Sequence, residues 1–166
     1  LVQNMRMQEG LSEDELIEAF KNQEIDAVIR GSLKASKVIK AIKEFKSDKT
    51  IIVPDGIGVV KAANMLRLPV KERVTGVEIV QKLFEMLNEK GRSLYLLGAK
   101  KEVLNKLTQR LEKEYPNIKL LGCCDGYVKD KDAVFEKIVE LKPDVVLVAL
   151  GIPAQEQLIY RHYDRF

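Results

Sequence analysis

Residues 51–76 read IIVPDGIGVVKAANMLRLPVKERVTG (Ile51–Gly76), and the rest of the chain is organised around them. The stretch opens with Ile51-Ile52-Val53, a β-branched run of the kind that packs in a buried strand. It breaks at Pro54-Asp55-Gly56, residue types that set turn geometry. Apolar residues then recur at helical spacing over Ile57–Leu66. This strand–turn–helix order puts Asp55 at the carboxyl end of a strand, where open α/β sheets bind their ligands. Glu72-Arg73-Val74-Thr75-Gly76 follows in the next connection and brings a guanidinium and a helix-capping hydroxyl. An acid and a base on neighbouring loops suit a transfer reaction with an anionic leaving group.

Upstream, Ser12-Glu13-Asp14-Glu15 reads as a capping box ahead of a short helix with Leu16, Ile17, Ala19 and Phe20 on its apolar side. Ile25–Ile29 is a candidate first strand, closed by Arg30-Gly31, and Leu33–Phe45 has helical periodicity. Lys34, Lys37, Lys40, Lys43, Lys46 and Lys49 recur at every third position, which spreads them around that helix as a solvated surface. Downstream, Thr75 caps a helix carrying Val77, Val80, Leu83, Phe84 and Leu87, stopped by Gly91. Ser93–Leu97 is a strand, Gly98 opens the helix Lys100–Leu111, and Ile118–Leu121 is the next strand. Asp130 or Asp132 starts a helix that ends near Lys142-Pro143. Asp144–Leu150, DVVLVAL, is nearly continuous in apolar residues, as expected of a strand covered on both faces. Gly151-Ile152-Pro153 then turns into a last helix, Ala154–Arg165. Strands alternate with helices, so the expected fold is one α/β domain over residues 1–166 with a doubly wound, Rossmann-like parallel sheet of about five strands.

Composition narrows the function classes. The chain has 166 residues, 46% apolar and 32% charged, which suits one soluble domain with a single core. A net charge of +3 with no aromatic–basic interleaving argues against a nucleic-acid partner. No apolar run reaches the roughly 18 residues of a membrane span and no signal-peptide core opens the sequence, so a cytoplasmic protein is expected. Two adjacent cysteines, Cys123 and Cys124, cannot make a disulfide framework. With one histidine, His162, no zinc site is expected.

Several side chains could carry chemistry. Asp55 is either turn chemistry, bonding its own backbone or capping the next helix, or a general base facing the ligand crevice. Gly56 and Gly58 would let a substrate approach the backbone. Arg73 could grip a phosphate through its fork or pair with Glu72, and the helix start at Thr75 could add a second anion site. Gly98, at a strand–helix junction, fits nucleotide binding or tight packing. Asp130-Lys131-Asp132 resembles a metal-binding Asp-x-Asp pair, but its place before a helix favours N-capping. Cys123-Cys124 lacks a neighbour placed to lower a thiol pKa, so small buried side chains are expected there. In Gly151-Ile152-Pro153-Ala154-Gln155-Glu156, Gln155 lies in the first helical turn and could hold a sugar or uracil through its amide. Glu156 there favours the macrodipole. His162 is expected to be structural or exposed.

Three segments taken together, PDGIGVVKAANMLRLPVKERVTGVEIV, SLYLLGAKKEVLNKLTQRLEKEYPNIKLLGCCDGY and DVVLVALGIPAQEQLIYRH, resemble the WecG/TagA/CpsF glycosyltransferase family over about residues 50–163. The set PDGxG, ERVTG and GxPxQE carries the likeness, whereas residues 1–49 do not match it: Arg30-Gly31-Ser32-Leu33 stands where the family has a Thr/Asn element. The resemblance implies a metal-independent, inverting transfer of N-acetylmannosamine from a UDP-sugar to a lipid-linked N-acetylglucosamine acceptor, with no cofactor. It implies Asp55 as catalytic base and Arg73, Thr75, Gly56, Gly98 and Gln155 as substrate-binding. Teichoic acid synthesis at the inner membrane face and self-association also follow from it. Family members continue into a Gly-rich strand and a basic, membrane-attaching tail, and this sequence ends at Phe166 before both. The competing expectation is therefore a truncated or hybrid α/β scaffold that binds nucleotide sugar weakly or not at all, without turnover. A dinucleotide-dependent oxidoreductase is disfavoured because no Gly-x-Gly-x-x-Gly turn follows the first strand.

Overall fold

Strands β1 (Ala27–Arg30) and β2 (Thr50–Val53) run parallel, with Ala27 opposite Thr50 and Arg30 opposite Val53. The computed structural model describes residues 27–30, 50–67, 70 and 72–165. The capping box at Ser12 and the helix expected over Leu33–Phe45 lie outside the described residues. The chain divides into two compact units, Leu1–Leu83 and Phe84–Phe166. After β2 the first unit continues into helix α1 (Ile57–Met65), and α2 (Gly76–Lys90) spans the boundary between the units.

The second unit is a three-stranded parallel sheet in the order β4-β3-β5, from β3 (Ser93–Gly98), β4 (Lys119–Cys124) and β5 (Val145–Ala149). Parallel neighbours need crossovers, and the sequence supplies them as helices α3 (Lys101–Glu114) and α4 (Lys131–Leu141). Helix α5 (Ala154–His162) follows β5 and gives way to a 3-10 turn at Tyr163–Arg165, where one continuous helix had been expected. The α/β class is as read from the sequence, and the five described strands are shared between a two-stranded and a three-stranded sheet.

One strand assignment changes. DVVLVAL was expected to be the strand covered on both faces, yet β5 is only half-buried because it borders the three-stranded sheet on one side. The fully buried strand is β3, all six of whose residues are inside. It holds the central place in the order, so both its faces and both its edges are occupied. On one face Tyr95 and Leu97 pack with Phe135 and Ile138 of α4 and Leu158 of α5. A bulge between Leu94 and Tyr95 adjusts the register to β4, and Gly122 sits under the Tyr95 ring. A Cβ there would lie 2.7 Å from the ring, so no larger residue fits without displacing it.

Helix ends follow local chemistry. Asp130 caps α4, accepting from the Ala133 N–H at 2.9 Å, and Lys142 closes it with a left-handed φ of 47°. The amino ends of β3 and β5 are joined by one carboxylate. Asp144 accepts from the Ser93 N–H at 2.7 Å, from the Ser93 hydroxyl at 2.5 Å and from Arg92 Nη1 at 3.0 Å. Burial pushes the Asp144 carboxyl up, but the Ser93 and Arg92 hydrogen bonds outweigh it and hold it below the usual carboxylate range.

A folded value below the unfolded one means that this stabilisation is present above about pH 3.9 and is lost as pH falls through the lower folded value. Asp144→Ala should therefore lower stability by about 1–3 kcal/mol at neutral pH. Urea denaturation of variant and parent across the acid range should find the difference shrinking once the parent's carboxyl protonates.

Candidate active site

In the first unit the turn after β2 is tight. The Asp55 N–H donates to the Val53 carbonyl at 3.1 Å, and Val53 itself is buried. Helix α1 is capped by Gly56 in an extended conformation without a side-chain cap, so the Asp55 carboxylate is not the cap of the following helix. It is instead enclosed, with Asp55 only 4% exposed. A charge taken out of water needs a partner, and Arg73, 18 residues on, provides one. Its Nε donates to the Asp55 main-chain oxygen and its Nη2 lies 3.6 Å from Asp55 Oδ1. Beside it the buried Val74 donates its N–H to the Pro54 carbonyl at 3.3 Å, laying the two loops side by side. The Arg73 side chain stays 51% exposed, so the guanidinium spans from the enclosed acid to solvent. Among the described residues, a Cβ built on Gly58 meets nothing within 4 Å and one on Gly56 meets Val59 at 3.6 Å.

Thr75 forms a reciprocal capping box with Glu78. The Glu78 N–H donates to Thr75 Oγ1 and the Thr75 N–H to Glu78 Oε2, both at 3.2 Å, and the Thr75 hydroxyl also donates to that carboxylate. The anion at the start of α2 is thus a side chain of the helix itself. The sequence carries this as Thr-x-x-Glu, a signal that the reading of Thr75 as a lone cap passed over.

The other two candidates belong to the second unit, at the carboxyl edge of its sheet. Gly98 adopts φ +120°, and a Cβ there would fall 2.3 Å from the Ala149 carbonyl oxygen. Its glycine is therefore required by the backbone of β5. Ala99 donates to the Ala149 carbonyl at 2.9 Å and accepts from the Gly126 N–H at 3.0 Å, drawing the loops after β3, β4 and β5 together. Gln155 sits half-buried in the first turn of α5, beyond a cis Ile152–Pro153 bond, and donates one amide N–H to Glu156 Oε1 at 2.9 Å. Glu156, expected to serve the macrodipole, is buried, and its Oε2 has no hydrogen-bond partner among the described residues. A buried carboxylate beside the amide was not anticipated, because periodicity alone does not say which side of a short helix faces inward.

The remaining candidates have structural roles. Asp132 accepts from Arg161 and meets His162 Nε2, each at 2.9 Å, while Glu136 takes both terminal nitrogens of Arg165. His162 is buried and stacks on Phe135 with centroids 4.6 Å apart. These contacts fasten the last helix to α4. Cys123 is exposed where a small buried side chain had been expected, because it takes an outward position on β4. Burial, reinforced by Asp125 and Cys123, pushes the Cys124 thiol up, which disfavours the nucleophilic thiolate. Among the described residues no three His, Cys, Asp or Glu side chains are grouped to hold a metal ion, and no helix is long and apolar enough to cross a membrane.

Comparison with known proteins corrects the expectation that residues 1–49 do not match the family, since the match runs through most of them. A model described as "Glycosyl transferase WecG/TagA/CpsF family" matches residues 4–166. An N-acetylglucosaminyldiphosphoundecaprenol N-acetyl-beta-D-mannosaminyltransferase of Bacillus subtilis (strain 168) is 37% identical over 156 residues, 90% of this chain and 60% of the relative. Proteins of the same name from Bacillus spizizenii and Staphylococcus aureus (strain NCTC 8325) are 38% and 34% identical, covering 70% and 76% of this chain. The chain spans 46% and 50% of those two relatives' lengths, so it corresponds to roughly half of each.

The two kinds of glycine separate by stability. Gly98→Ala should cost about 1–3 kcal/mol or more, since it combines a left-handed φ with a clash against main chain. Gly58→Ala, inside α1 and with no described residue within 4 Å of the added Cβ, should be neutral or stabilising. Thermal melts of the two variants provide the comparison.

Proposed function

The chain belongs to the WecG/TagA/CpsF glycosyltransferase family, and on that footing we propose that it forms the core of an N-acetylmannosaminyltransferase. The donor is a UDP-sugar and the acceptor a lipid-linked N-acetylglucosamine, in teichoic acid or surface polysaccharide synthesis. The observation that carries this reading is the enclosed Asp55 carboxylate at the end of β2, braced by Arg73. The names of the three relatives agree with it.

In the proposed reaction the acceptor hydroxyl oxygen attacks the anomeric carbon while its proton passes to an Asp55 carboxylate oxygen. The bond from that carbon to the donor diphosphate breaks, and UDP leaves with the electron pair. In-line attack from the opposite face inverts the anomeric centre. No cofactor or metal takes part in this scheme: the exposed side of the Arg73 guanidinium faces the leaving diphosphate and offsets its growing charge. The backbone at Gly56 gives the substrates room, and Thr75, held by its capping box with Glu78, anchors the loop that carries Arg73 at the donor. For Gln155 and Gly98, in the second unit, a substrate-binding role is proposed on the family resemblance: Gln155 through its second amide N–H and its carbonyl, and Gly98 by shaping the carboxyl-edge loop of its own sheet.

The same reading includes a single domain with a doubly wound sheet of about five strands, supported by the parallel pairing of the described strands. It also includes self-association and a peripheral position at the cytoplasmic face of the membrane, where a lipid-linked acceptor would be met.

Asp55→Asn keeps the shape of the side chain and removes the base. Transfer from UDP-N-acetylmannosamine to a lipid-linked N-acetylglucosamine should fall by about 10²-fold or more while the far-UV circular dichroism is unchanged. Turnover close to the parent's would take Asp55 out of the mechanism. UDP binding without any transfer by the parent chain would favour the scaffold reading.

A further inference from the structure

Helix α1 is apolar nearly all the way round, a pattern that belongs to helices with protein or lipid on every side. Its sequence, IGVVKAANM, contains no acidic residue, and Lys61 is its one charge. Yet only Val60 and Ala63 are buried. Ile57 is 58% exposed, Val59 50%, Met65 86% and Leu66, its C-cap, 70%. At 3.6 residues per turn, Ile57 and Met65 line up with Lys61 between them, and Leu66 stands beside Ala62 and Gly58. The exposed part of α1 is therefore a strip of aliphatic surface crossed by Lys61 and followed by Arg67.

This strip starts beside the proposed base, because α1 begins two residues after Asp55. From there nine residues carry it about 13 Å. A polyprenyl diphosphate bearing a sugar has matching parts in the same order: a reacting hydroxyl, an anionic diphosphate and a long hydrocarbon. The relatives' names place such a molecule, N-acetylglucosaminyldiphosphoundecaprenol, among their substrates. We propose that the exposed face of α1 seats the first part of the acceptor's polyprenyl chain, with Lys61 beside the diphosphate and the sugar at Asp55. The proposal rests on the transferase reading and adds the place where the lipid lies. Aliphatic side chains now in water gain by contact with hydrocarbon, and Lys61, on a helix without a carboxylate, complements the diphosphate.

The test uses the double variant Met65→Gln, Leu66→Gln, whose side chains are exposed and so should leave the fold intact by circular dichroism. Co-sedimentation is measured with phosphatidylcholine vesicles, plain or doped with N-acetylglucosaminyldiphosphoundecaprenol. The parent should bind doped vesicles in preference to plain ones, and the variant should lose about tenfold of that affinity. In transfer assays the preference for a polyprenyl acceptor over a short-alkyl, water-soluble one should also fall about tenfold. Equal binding of parent and variant to doped vesicles would overturn the proposal, as would equal binding of the parent to both kinds of vesicle. A dimer that the variant dissociates, with vesicle binding unchanged, would overturn it in favour of a second copy as occupant. Should the parent transfer sugar to neither acceptor while α1-dependent binding to doped vesicles persists, the lipid seat stands and the transferase reading falls.

Discussion

Enclosing a carboxylate sets the geometry of the first unit. Asp55 has left water almost completely, and the cost of doing so without a cation would be several kcal/mol. Arg73 meets that requirement from another loop, touching both the main chain and the side chain of Asp55. Because the contact is made twice, it fixes the path of the Pro54-Asp55-Gly56 turn as well as the charge. Val74 adds a backbone bond to Pro54, and the Thr75–Glu78 box fixes where α2 begins. The residues that neutralise the acid are therefore the ones that shape its surroundings.

The second unit meets a different constraint, that of a central strand with no free surface. Each end of β3 is tied to β5 by a specific contact: Asp144 clamps Ser93 at the amino end, and Gly98 presses on Ala149 at the carboxyl end. Only glycine allows the second contact, since the approach leaves no room for a Cβ. Ala99 then bonds to the end of β5 and to the loop after β4, which draws the carboxyl edge of the sheet into one cluster. Parallel strands present all their carboxyl ends on the same side, so a cluster of loops forms there in any such sheet, and ligand sites follow from it.

Much of this was legible in the sequence because it depends on local pattern. The strands at Ile51, Ser93 and Asp144 are announced by β-branched or leucine-rich runs, and the helices by apolar spacing and by caps such as Thr75 and Asp130. Strand order was less legible. DVVLVAL is more apolar than SLYLLG, yet SLYLLG is the buried strand, since burial depends on a place in the sheet that no single segment encodes. Asp55 was legible as a turn residue and as a candidate base, and the observed Gly56 cap decides against its capping of α1. The Arg73–Asp55 contact was hidden for a simple reason: a guanidinium next to Glu72 in the sequence has an obvious neighbour, and the fold chooses a distant one. The buried Glu156 was hidden because short helices leave their inward side ambiguous.

The contact with Asp55 bears directly on what Arg73 can do in the proposed reaction. A guanidinium has five N–H donors in one plane. One is spent on the Asp55 carbonyl, and Nη2 approaches the carboxylate without closing to hydrogen-bond distance. The half-exposed remainder of the fork is therefore in place for a second anion, and a donor diphosphate would meet a group already oriented by its first one. Little side-chain freedom would then be lost when the diphosphate arrives, which is how a preorganised electrostatic group gains its effect. The same fork would share its charge with the carboxylate until Asp55 takes up the acceptor proton. At that moment the acid becomes neutral, and the guanidinium is left to face the leaving group alone as the negative charge moves there. A cation placed between base and leaving group thus couples proton uptake on one side to charge stabilisation on the other.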